Sequence, residues 1–174
     1  MAYTFVYGDN IDTDRIIAGK YTKTLNTADL VAHVLEDLDP TFKDRVQAGD
    51  FLVGGENFGC GSSREQAPIA IKMAGVQAVI ARSFARIFFR NAINIGLPVL
   101  EITQHDIEMG DEIEVDLIKG SIFNKSKNKT YQSAPMPQVM VDILEAGGLV
   151  AYLKLNGDYK LSVWHFTDSS YPFP

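Results

Sequence analysis

The chain contains one cysteine, Cys60, among its 174 residues, so it cannot form an internal disulfide. A single thiolate is also too few to hold an iron–sulfur cluster, which takes several. No apolar run approaches the roughly 20 residues that span a bilayer. The N-terminal sequence MAYTFVYGDNIDTDR lacks the charged and apolar regions of a signal peptide. We therefore expect a cytoplasmic protein that inserts into no membrane and holds no cluster on its own thiolates.

Positive charge is also scarce, with 16 lysines and arginines against 22 aspartates and glutamates and a net charge of −6. An acidic chain without a basic run is a poor nucleic-acid binder, so we exclude that class of partner. Hydrophobic residues make up 46% of the sequence, as in ordinary globular proteins. The length predicts a single domain over residues 1–174, with its core at about 3–150 and a C-terminal tail at about 151–174.

Short apolar segments bounded by glycine alternate with helical patterns through the first hundred residues. The predicted strands lie at 3–7, 50–55, 76–81 and 97–102. The predicted helices lie at 28–37, 64–74 and 84–95. A long polar connection, residues 8–26, separates the first strand from the first helix. Because strands and helices alternate in this order, we expect parallel βαβ pairing.

Polar residues at the helix starts predict caps, provided by Asn26 or Thr27, by Ser62 or Ser63, and by Ser83. The first helix carries an apolar stripe made of Leu30, Val31, Val34, Leu35 and Leu38. His33 lies off that stripe, which predicts a solvated histidine on the surface.

The pattern changes after residue 103, where apolar and polar positions alternate and turns are expected at Gly110, Gly120 and Asn128. This alternation predicts antiparallel strands joined in hairpins. A final helix is expected at about 136–146, and the last stretch, SVWHFTDSSYPFP at 162–174, has no clear periodicity. The predicted fold class is therefore α/β, a parallel βαβ core with an added antiparallel hairpin region.

The stretch NFGCGSSRE carries the strongest chemical signal in the sequence. Gly59 and Gly61 allow backbone conformations that other residues avoid, and a helix is predicted to begin just after them. A helix N-terminus attracts anions, and Ser62 and Ser63 add hydroxyl groups. Arg64 can bind a carboxylate through two parallel hydrogen bonds. The stretch favours a carboxylate site over a phosphate site, because neither phosphate-binding glycine motif is present. An ordinary turn followed by a helix cap is the alternative.

A second polar loop, DNIDTDRIIAGKYTKT, precedes the first helix. Asp12 and Asp14 are candidates for an outer layer of the same site that orients its cations, and a solvated acidic turn is the alternative. Cys60 fits a small packed side chain better than a nucleophile, because no histidine lies near it in sequence. Arg86 and Arg90 share one helix face and meet either acidic groups of a partner or solvent. We predict no metal site on this chain.

Three segments occur in an order and spacing that composition does not explain: GDNIDTDRIIAGKY, GGENFGCGSSREQAPIAIKMAGVQAVIARSFARIFFRNAINIGLPVLE and MGDEIEVD. In them the chain closely resembles the small subunits of the isopropylmalate dehydratase (isopropylmalate isomerase) family, the swivel domain of the aconitase superfamily. The resemblance covers about residues 3–150 and is most specific over 54–101. It implies a β/β/α swivel-domain fold and a half-enzyme that closes the active site of a separate large subunit.

The resemblance also implies roles for individual residues. Ser62 matches the family's catalytic base, which as an alkoxide removes the proton from the carbon next to the hydroxyl-bearing carbon. Ser63 and Arg64 match the residues that bind a substrate carboxylate, and Asp14 matches an acidic residue behind the site. The family's [4Fe–4S] cluster belongs to the large subunit, so this chain is expected to bind no cofactor itself. The expected partners are that iron–sulfur subunit and a small branched hydroxy-dicarboxylate substrate.

The substrate's variable group is expected to meet the segment KYTKT, residues 20–24, which we call the specificity segment. The resemblance implies the isomerisation of 2-isopropylmalate to 3-isopropylmalate through 2-isopropylmaleate in leucine biosynthesis. An isopropyl group favours apolar contacts, whereas the segment carries Lys23 and Thr24. A related hydratase acting on homoaconitate or 2,3-dimethylmalate is therefore an alternative, with Lys23 meeting the extra carboxylate of homoaconitate. A non-catalytic carboxylate-binding swivel module and a Cys60-dependent redox or hydrolytic enzyme are further alternatives.

Overall fold

The computed structural model describes residues 2–23 and 26–157. Within these ranges seven strands and seven α-helices follow one another along the chain. In order they are β1 Thr4–Val6, α1 Thr13–Ile16, α2 Thr27–Ala32, α3 Phe42–Arg45, β2 Phe51–Gly54, α4 Gln66–Met73, β3 Ala78–Ala81, α5 Arg86–Asn94, β4 Val99–Glu101, β5 Ile113–Asp116, β6 Ser121–Asn124, β7 Lys129–Gln132, α6 Gln138–Glu145 and α7 Leu149–Asn156. A short 3-10 helix, Gly19–Tyr21, lies between α1 and α2.

Strands β1 to β4 form one parallel sheet in the order of the sequence. In its register Leu52 stands between Phe5 and Val79. Each pair of neighbouring strands is joined by a segment that contains at least one helix, so the predicted βαβ pairing is confirmed. Because all four strands run the same way, the loops that follow β1, β2, β3 and β4 meet at one edge of the sheet.

The two faces of the parallel sheet pack against different layers. On one face Leu52 and Val79 belong to a hydrophobic core that the helices complete, with Ile71 of α4 and Ile143 of α6 among its members. On the opposite face a second core contains the neighbouring strand residues together with residues of the antiparallel sheet; its members include Phe51, Val53, Ile80, Leu100, Ile113 and Ile122. The molecule therefore has helices, a parallel sheet and an antiparallel sheet in three layers, as the β/β/α expectation requires.

The antiparallel sheet consists of β5, β6 and β7 in sequence order. Gly120 with a φ of +62° and Asn128 with a φ of +50° lie in the turns of its two hairpins. Glycine and asparagine are the residues that adopt positive φ at least cost, so the predicted turns and hairpins are confirmed.

The predicted helix at 28–37 is wrong in its second half. Asn26 does cap α2, accepting a hydrogen bond from the Ala28 amide at 3.0 Å, but the helix ends at Ala32. Leu35 then adopts a φ of +55° and donates its amide to the carbonyl of Ile16 at 2.8 Å. Leu35 is fully buried, so a long-range hydrogen bond and core burial override the helical pattern.

Other predictions also need correction. The polar connection at 8–26 is not without structure, since it contains α1 and the 3-10 helix. His33 is not a solvated histidine, because its ring is half-buried and stacks on Tyr21. Ser83 does not cap α5, which begins at Arg86; its hydroxyl oxygen accepts from the Asn57 amide instead. The predicted tail begins with α7, and residues 158–174 lie outside the described part of the chain.

Candidate active site

The stretch NFGCGSSRE lies in the loop at 55–65, between β2 and α4, which we call the serine loop. Backbone hydrogen bonds join it to the loop that follows the neighbouring strand β1. Their donor and acceptor pairs are Gly55 N to Gly8 O at 3.0 Å, Asn10 N to Glu56 O at 2.8 Å, Gly59 N to Ile11 O at 2.7 Å and Thr13 N to Cys60 O at 2.9 Å. The pairing continues that of β1 and β2 beyond the strand ends. It brings the two polar loops of the sequence together at the carboxyl edge of the sheet.

An aromatic cluster packs against the serine loop through Phe58, which belongs to the loop. Phe58 is buried and makes edge-to-face contacts with Phe84 at 5.8 Å and with Phe88 at 5.2 Å between ring centroids. Gly59 has a φ of +77°, and a β-carbon at this position would overlap the ring of Phe88. A residue with a side chain would meet both backbone strain and a steric clash here, so glycine is required where the loop crosses α5.

Ser62 and Ser63 are both exposed, in the part of the serine loop that precedes α4. Their predicted role as helix caps is wrong, because α4 begins at Gln66 and its N-cap residue is Glu65, without a side-chain capping bond. The Ser62 carbonyl instead accepts from the Thr13 hydroxyl at 3.1 Å and from the Arg64 amide at 2.8 Å. The backbone of Ser62 is thereby fixed while its side chain faces solvent.

The Arg64 guanidinium forms an ion pair with Asp14 and donates to the carbonyl of Ile17 at 3.3 Å, both through Nη1. The Arg64 side chain is 22% exposed and that of Asp14 is 57% exposed. An ion pair this open to water adds little to stability, typically about 0–1 kcal/mol, so its effect is to orient the guanidinium. Arg64 has further N–H donors with which to bind a carboxylate.

Asp12 and Asp14 take different positions near the serine loop. Asp12 is the N-cap of α1 and accepts from the Arg15 amide at 2.8 Å, and it also pairs with Cys60 through a backbone bridge. The structure thus places Asp14 beside Arg64 and Asp12 at the start of the short helix that presents Asp14. Thr13, whose hydroxyl donates to the Ser62 carbonyl, was missed because a lone threonine in a polar loop has no distinctive pattern.

The specificity segment follows Gly19, which lies against the Arg64 guanidinium. Its Thr22 carbonyl accepts from Nε2 of Gln66, the first residue of α4, at 3.3 Å. Lys23 is exposed, and Thr24 lies outside the described residues. The structure therefore brings Ser62, Ser63, Arg64 and residues 20–23 of the specificity segment to one edge of the molecule. Gln66 was missed because a glutamine at a helix start has no distinctive sequence signal.

Cys60 is partly buried beside these residues. Burial, together with the nearby Asp12 carboxylate, raises the pKa of its thiol above the usual range. A raised pKa leaves less thiolate at neutral pH, which disfavours a nucleophilic role. Across residues 2–23 and 26–157 no cluster of three or more His, Cys, Asp or Glu side chains is arranged to hold a metal ion.

Arg86 and Arg90 are exposed on α5, at the rim of an open groove of about 780 Å³ whose walls include Phe89 and Met140. No helix in the described ranges is long and apolar enough to cross a membrane.

Comparison with known proteins gives a consistent family. Residues 38–105 match the Aconitase C-terminal domain family. A 3-isopropylmalate dehydratase small subunit from Caldicellulosiruptor saccharolyticus is 55% identical over 165 residues, 94% of each chain. Small subunit 1 from Archaeoglobus fulgidus is 56% identical over 155 residues, 88% of this chain and 96% of the relative. A crystal structure of 3-isopropylmalate dehydratase from Methanocaldococcus jannaschii is 48% identical, with a TM-score of 0.85 over 90% of this chain and 93% of that one. The chain belongs to the family of 3-isopropylmalate dehydratase small subunits.

Proposed function

We propose that this chain is the small subunit of a heteromeric hydro-lyase that converts 2-isopropylmalate to 3-isopropylmalate through 2-isopropylmaleate in leucine biosynthesis. The observation that carries the proposal is the exposed pair Ser62 and Ser63 followed by the partly buried Arg64, whose guanidinium is oriented by Asp14. The names of relatives at 55% and 56% identity support it. In this proposal residues 3–150 are the core of one swivel domain that faces a large-subunit partner.

The proposed chemistry assigns binding to Arg64 and Ser63 and proton transfer to Ser62. Arg64 and Ser63 both donate charge-assisted hydrogen bonds to a substrate carboxylate, because the acceptor is ionised. Ser62 Oγ, as an alkoxide, takes the proton from the carbon next to the one that bears the hydroxyl group, and the hydroxyl group leaves as hydroxide. Addition of hydroxide to the neighbouring carbon, with return of the Ser62 proton to the other, gives the isomer and regenerates the alkoxide. The exposed position of Ser62 allows a substrate held by Arg64 to reach it.

An iron–sulfur cluster does not fit this chain alone. The sequence has one cysteine, and no described group of three or more candidate ligands converges. We therefore place the family's [4Fe–4S] cluster on the large subunit and derive no step of this chain from it. What this chain supplies is the carboxylate site, the candidate base and the segment that contacts the substrate's side group.

The proposal is tested by reconstituting the chain anaerobically with an iron–sulfur large subunit and following hydration of 2-isopropylmaleate. Ser62→Ala is expected to lower kcat at least about 10²-fold, because it removes the group that accepts the proton. Ser121→Ala, a serine on β6, is the matched control and is expected to retain wild-type kcat. Full activity of Ser62→Ala in the complex would overturn the assignment. Turnover by the isolated chain would overturn the requirement for a partner.

A related substrate is the second candidate, favoured by the exposed Lys23 in the specificity segment. The ammonium group of Lys23 would bind an additional substrate carboxylate more favourably than it would contact a substrate isopropyl group. The measurement is a comparison of kcat/KM for isopropylmalate, homoaconitate and 2,3-dimethylmalate in the reconstituted complex, for the wild type and Lys23→Leu. Preference for the tricarboxylate, lost in Lys23→Leu, would favour a homoaconitase subunit. Dicarboxylate binding by the isolated chain without activity in any complex would favour a non-catalytic module.

A further inference from the structure

A compact cluster of three side chains joins the specificity segment to the residues that follow α2. The ring of Tyr21 stacks on the imidazole of His33, with centroids 3.7 Å apart and planes 5° from parallel. Nδ1 of His33 pairs with the Glu36 carboxylate, and the Tyr21 hydroxyl donates toward the same carboxylate at 3.4 Å. The Lys20 ammonium lies 4.7 Å from the centroid of the Tyr21 ring. Tyr21 belongs to the specificity segment, whereas His33 and Glu36 follow α2 in the chain.

The 3-10 helix and Thr22, which follows it, also contact the serine loop and α4. Gly19 lies against the Arg64 guanidinium, and a β-carbon at Gly19 would fall 3.1 Å from Nη2 of Arg64. Gln66 of α4 donates to the Thr22 carbonyl at 3.3 Å. The 3-10 helix thus contacts the arginine of the candidate carboxylate site at Gly19 and the His33–Glu36 pair at Tyr21. A shift of the 3-10 helix on one side must change its contacts on the other.

We propose that Tyr21, His33 and Glu36 are positioning residues that fix the specificity segment at a set distance from Arg64. The inference rests on the proposed function, in which Arg64 holds one carboxylate and the specificity segment contacts the substrate's side group. Discrimination between side groups requires that the segment keep its place while the carboxylate is bound. A misplacement of about 1 Å by a residue far from the chemistry can cost on the order of 10²-fold in rate.

The His33 and Glu36 side chains are partly exposed, which argues for a positioning role and against a purely stabilising one. The side chains of His33 and Glu36 are 32% and 37% exposed, so their contact adds little to the free energy of unfolding. The pairing with His33 holds the pKa of the Glu36 carboxyl below its usual range, so Glu36 is ionised at neutral pH. A variant that removes the His33 ring is therefore expected to fold normally and to bind substrate less selectively.

The experiment uses the reconstituted complex and compares His33→Ala, His33→Phe and His105→Ala. His33→Ala removes both the stacking surface and the contact with Glu36, whereas His33→Phe keeps the stack on Tyr21. His105→Ala is the matched control, because His105 also contacts a tyrosine ring, Tyr131 at 6.4 Å, but on the antiparallel sheet. KM and kcat are measured for isopropylmalate and 2,3-dimethylmalate, and each isolated variant is checked by thermal unfolding.

For His33→Ala we expect KM for isopropylmalate to rise roughly tenfold and the ratio of the two kcat/KM values to move toward one, with kcat changed much less. His33→Phe is expected to recover most of the wild-type ratio, and His105→Ala all of it. If His33→Ala keeps the wild-type ratio while Ser62→Ala abolishes turnover, the positioning role is wrong and the proposed function stands. If Ser62→Ala retains full activity, the proposed function fails. The same change in the ratio of the two kcat/KM values in His33→Ala and in His105→Ala would also overturn the positioning role.

Discussion

The substitution Gly59→Ala tests the close approach between the serine loop and α5. Gly59 adopts a φ of +77°, and the added methyl group would overlap the ring of Phe88. Phe88 is 2% exposed and is packed against Phe58 and Phe84, so its ring has little room to move. The substitution therefore combines backbone strain with overpacking of a close-packed cluster.

The two contributions can be separated with a second glycine of similar conformation. Gly110 has a φ of +83°, and a β-carbon there meets no atom within 4 Å. Left-handed backbone costs a residue with a side chain roughly 1–2 kcal/mol, so Gly110→Ala is expected to lose about that much. Forcing an extra methyl group into a packed core adds about 1–3 kcal/mol, so Gly59→Ala is expected to lose about 2–5 kcal/mol in total.

Urea unfolding of the isolated chain, followed by circular dichroism, measures both free energies. We expect Gly59→Ala to lose at least about 1 kcal/mol more than Gly110→Ala, the lower limit for overpacking. In the reconstituted complex Gly59→Ala is also expected to lower kcat, because a displaced serine loop moves Ser62, whereas Gly110→Ala is expected to keep it. Equal losses of stability in the two variants would refute the steric argument.

Two further predictions concern the neighbours of Ser62. Asp14→Asn removes the charge that orients Arg64, so KM in the reconstituted complex is expected to rise roughly tenfold, while stability changes by less than about 1 kcal/mol; an unchanged KM would contradict the orienting role. The raised pKa of Cys60 leaves little thiolate at pH 7, so its alkylation by iodoacetamide is expected to be slower than that of free cysteine and to accelerate as the pH rises. Fast alkylation at neutral pH would restore the cysteine enzyme as a candidate.

The parallel core could be predicted because its signals are local and agree with one another. The segment around Leu52 is a short apolar run that ends in glycine, and the segment around Val79 is a short apolar run that begins just after Gly75. Strands of this kind, separated by helical patterns, have few alternatives to parallel pairing. The hairpins were equally predictable, because Gly120 and Asn128 stand where the turns need positive φ.

The end of α2 could not be predicted, because the interaction that ends it is not local. Leu35 continues the apolar stripe of the helix, yet its amide bonds to the carbonyl of Ile16 in a different segment. Helix α7 was missed for another reason. Val150 and Leu155 are exposed, so its apolar residues do not mark one buried face and give no helical period.

The predicted capping role of Ser62 and Ser63 is wrong because of a non-local hydrogen bond, as at the end of α2. This difference bears on the proposed chemistry. A serine before a helical pattern is a strong cap signal, but here the hydroxyl of Thr13 holds the Ser62 carbonyl and α4 begins later, at Gln66. Ser62 therefore precedes the N-cap residue Glu65 and lies outside the first turn of α4, where the effect of the helix dipole is concentrated. The dipole of α4 is thus not the main source of stabilisation for an alkoxide at Ser62.

The positive charge of Arg64 is the other possible source of stabilisation for an alkoxide at Ser62. Arg64 is the adjacent cation, and its ion pair with Asp14 offsets part of its positive charge. A serine hydroxyl is a weak acid, and it serves as a base only where preorganised donors or cations stabilise its oxyanion. With Ser62 exposed to water and Arg64 paired with Asp14, this chain alone offers an alkoxide little of that stabilisation. We infer that further activating groups come from the surface that covers Ser62 in the proposed complex, which is a physical reason for the proposed activity to require the large subunit.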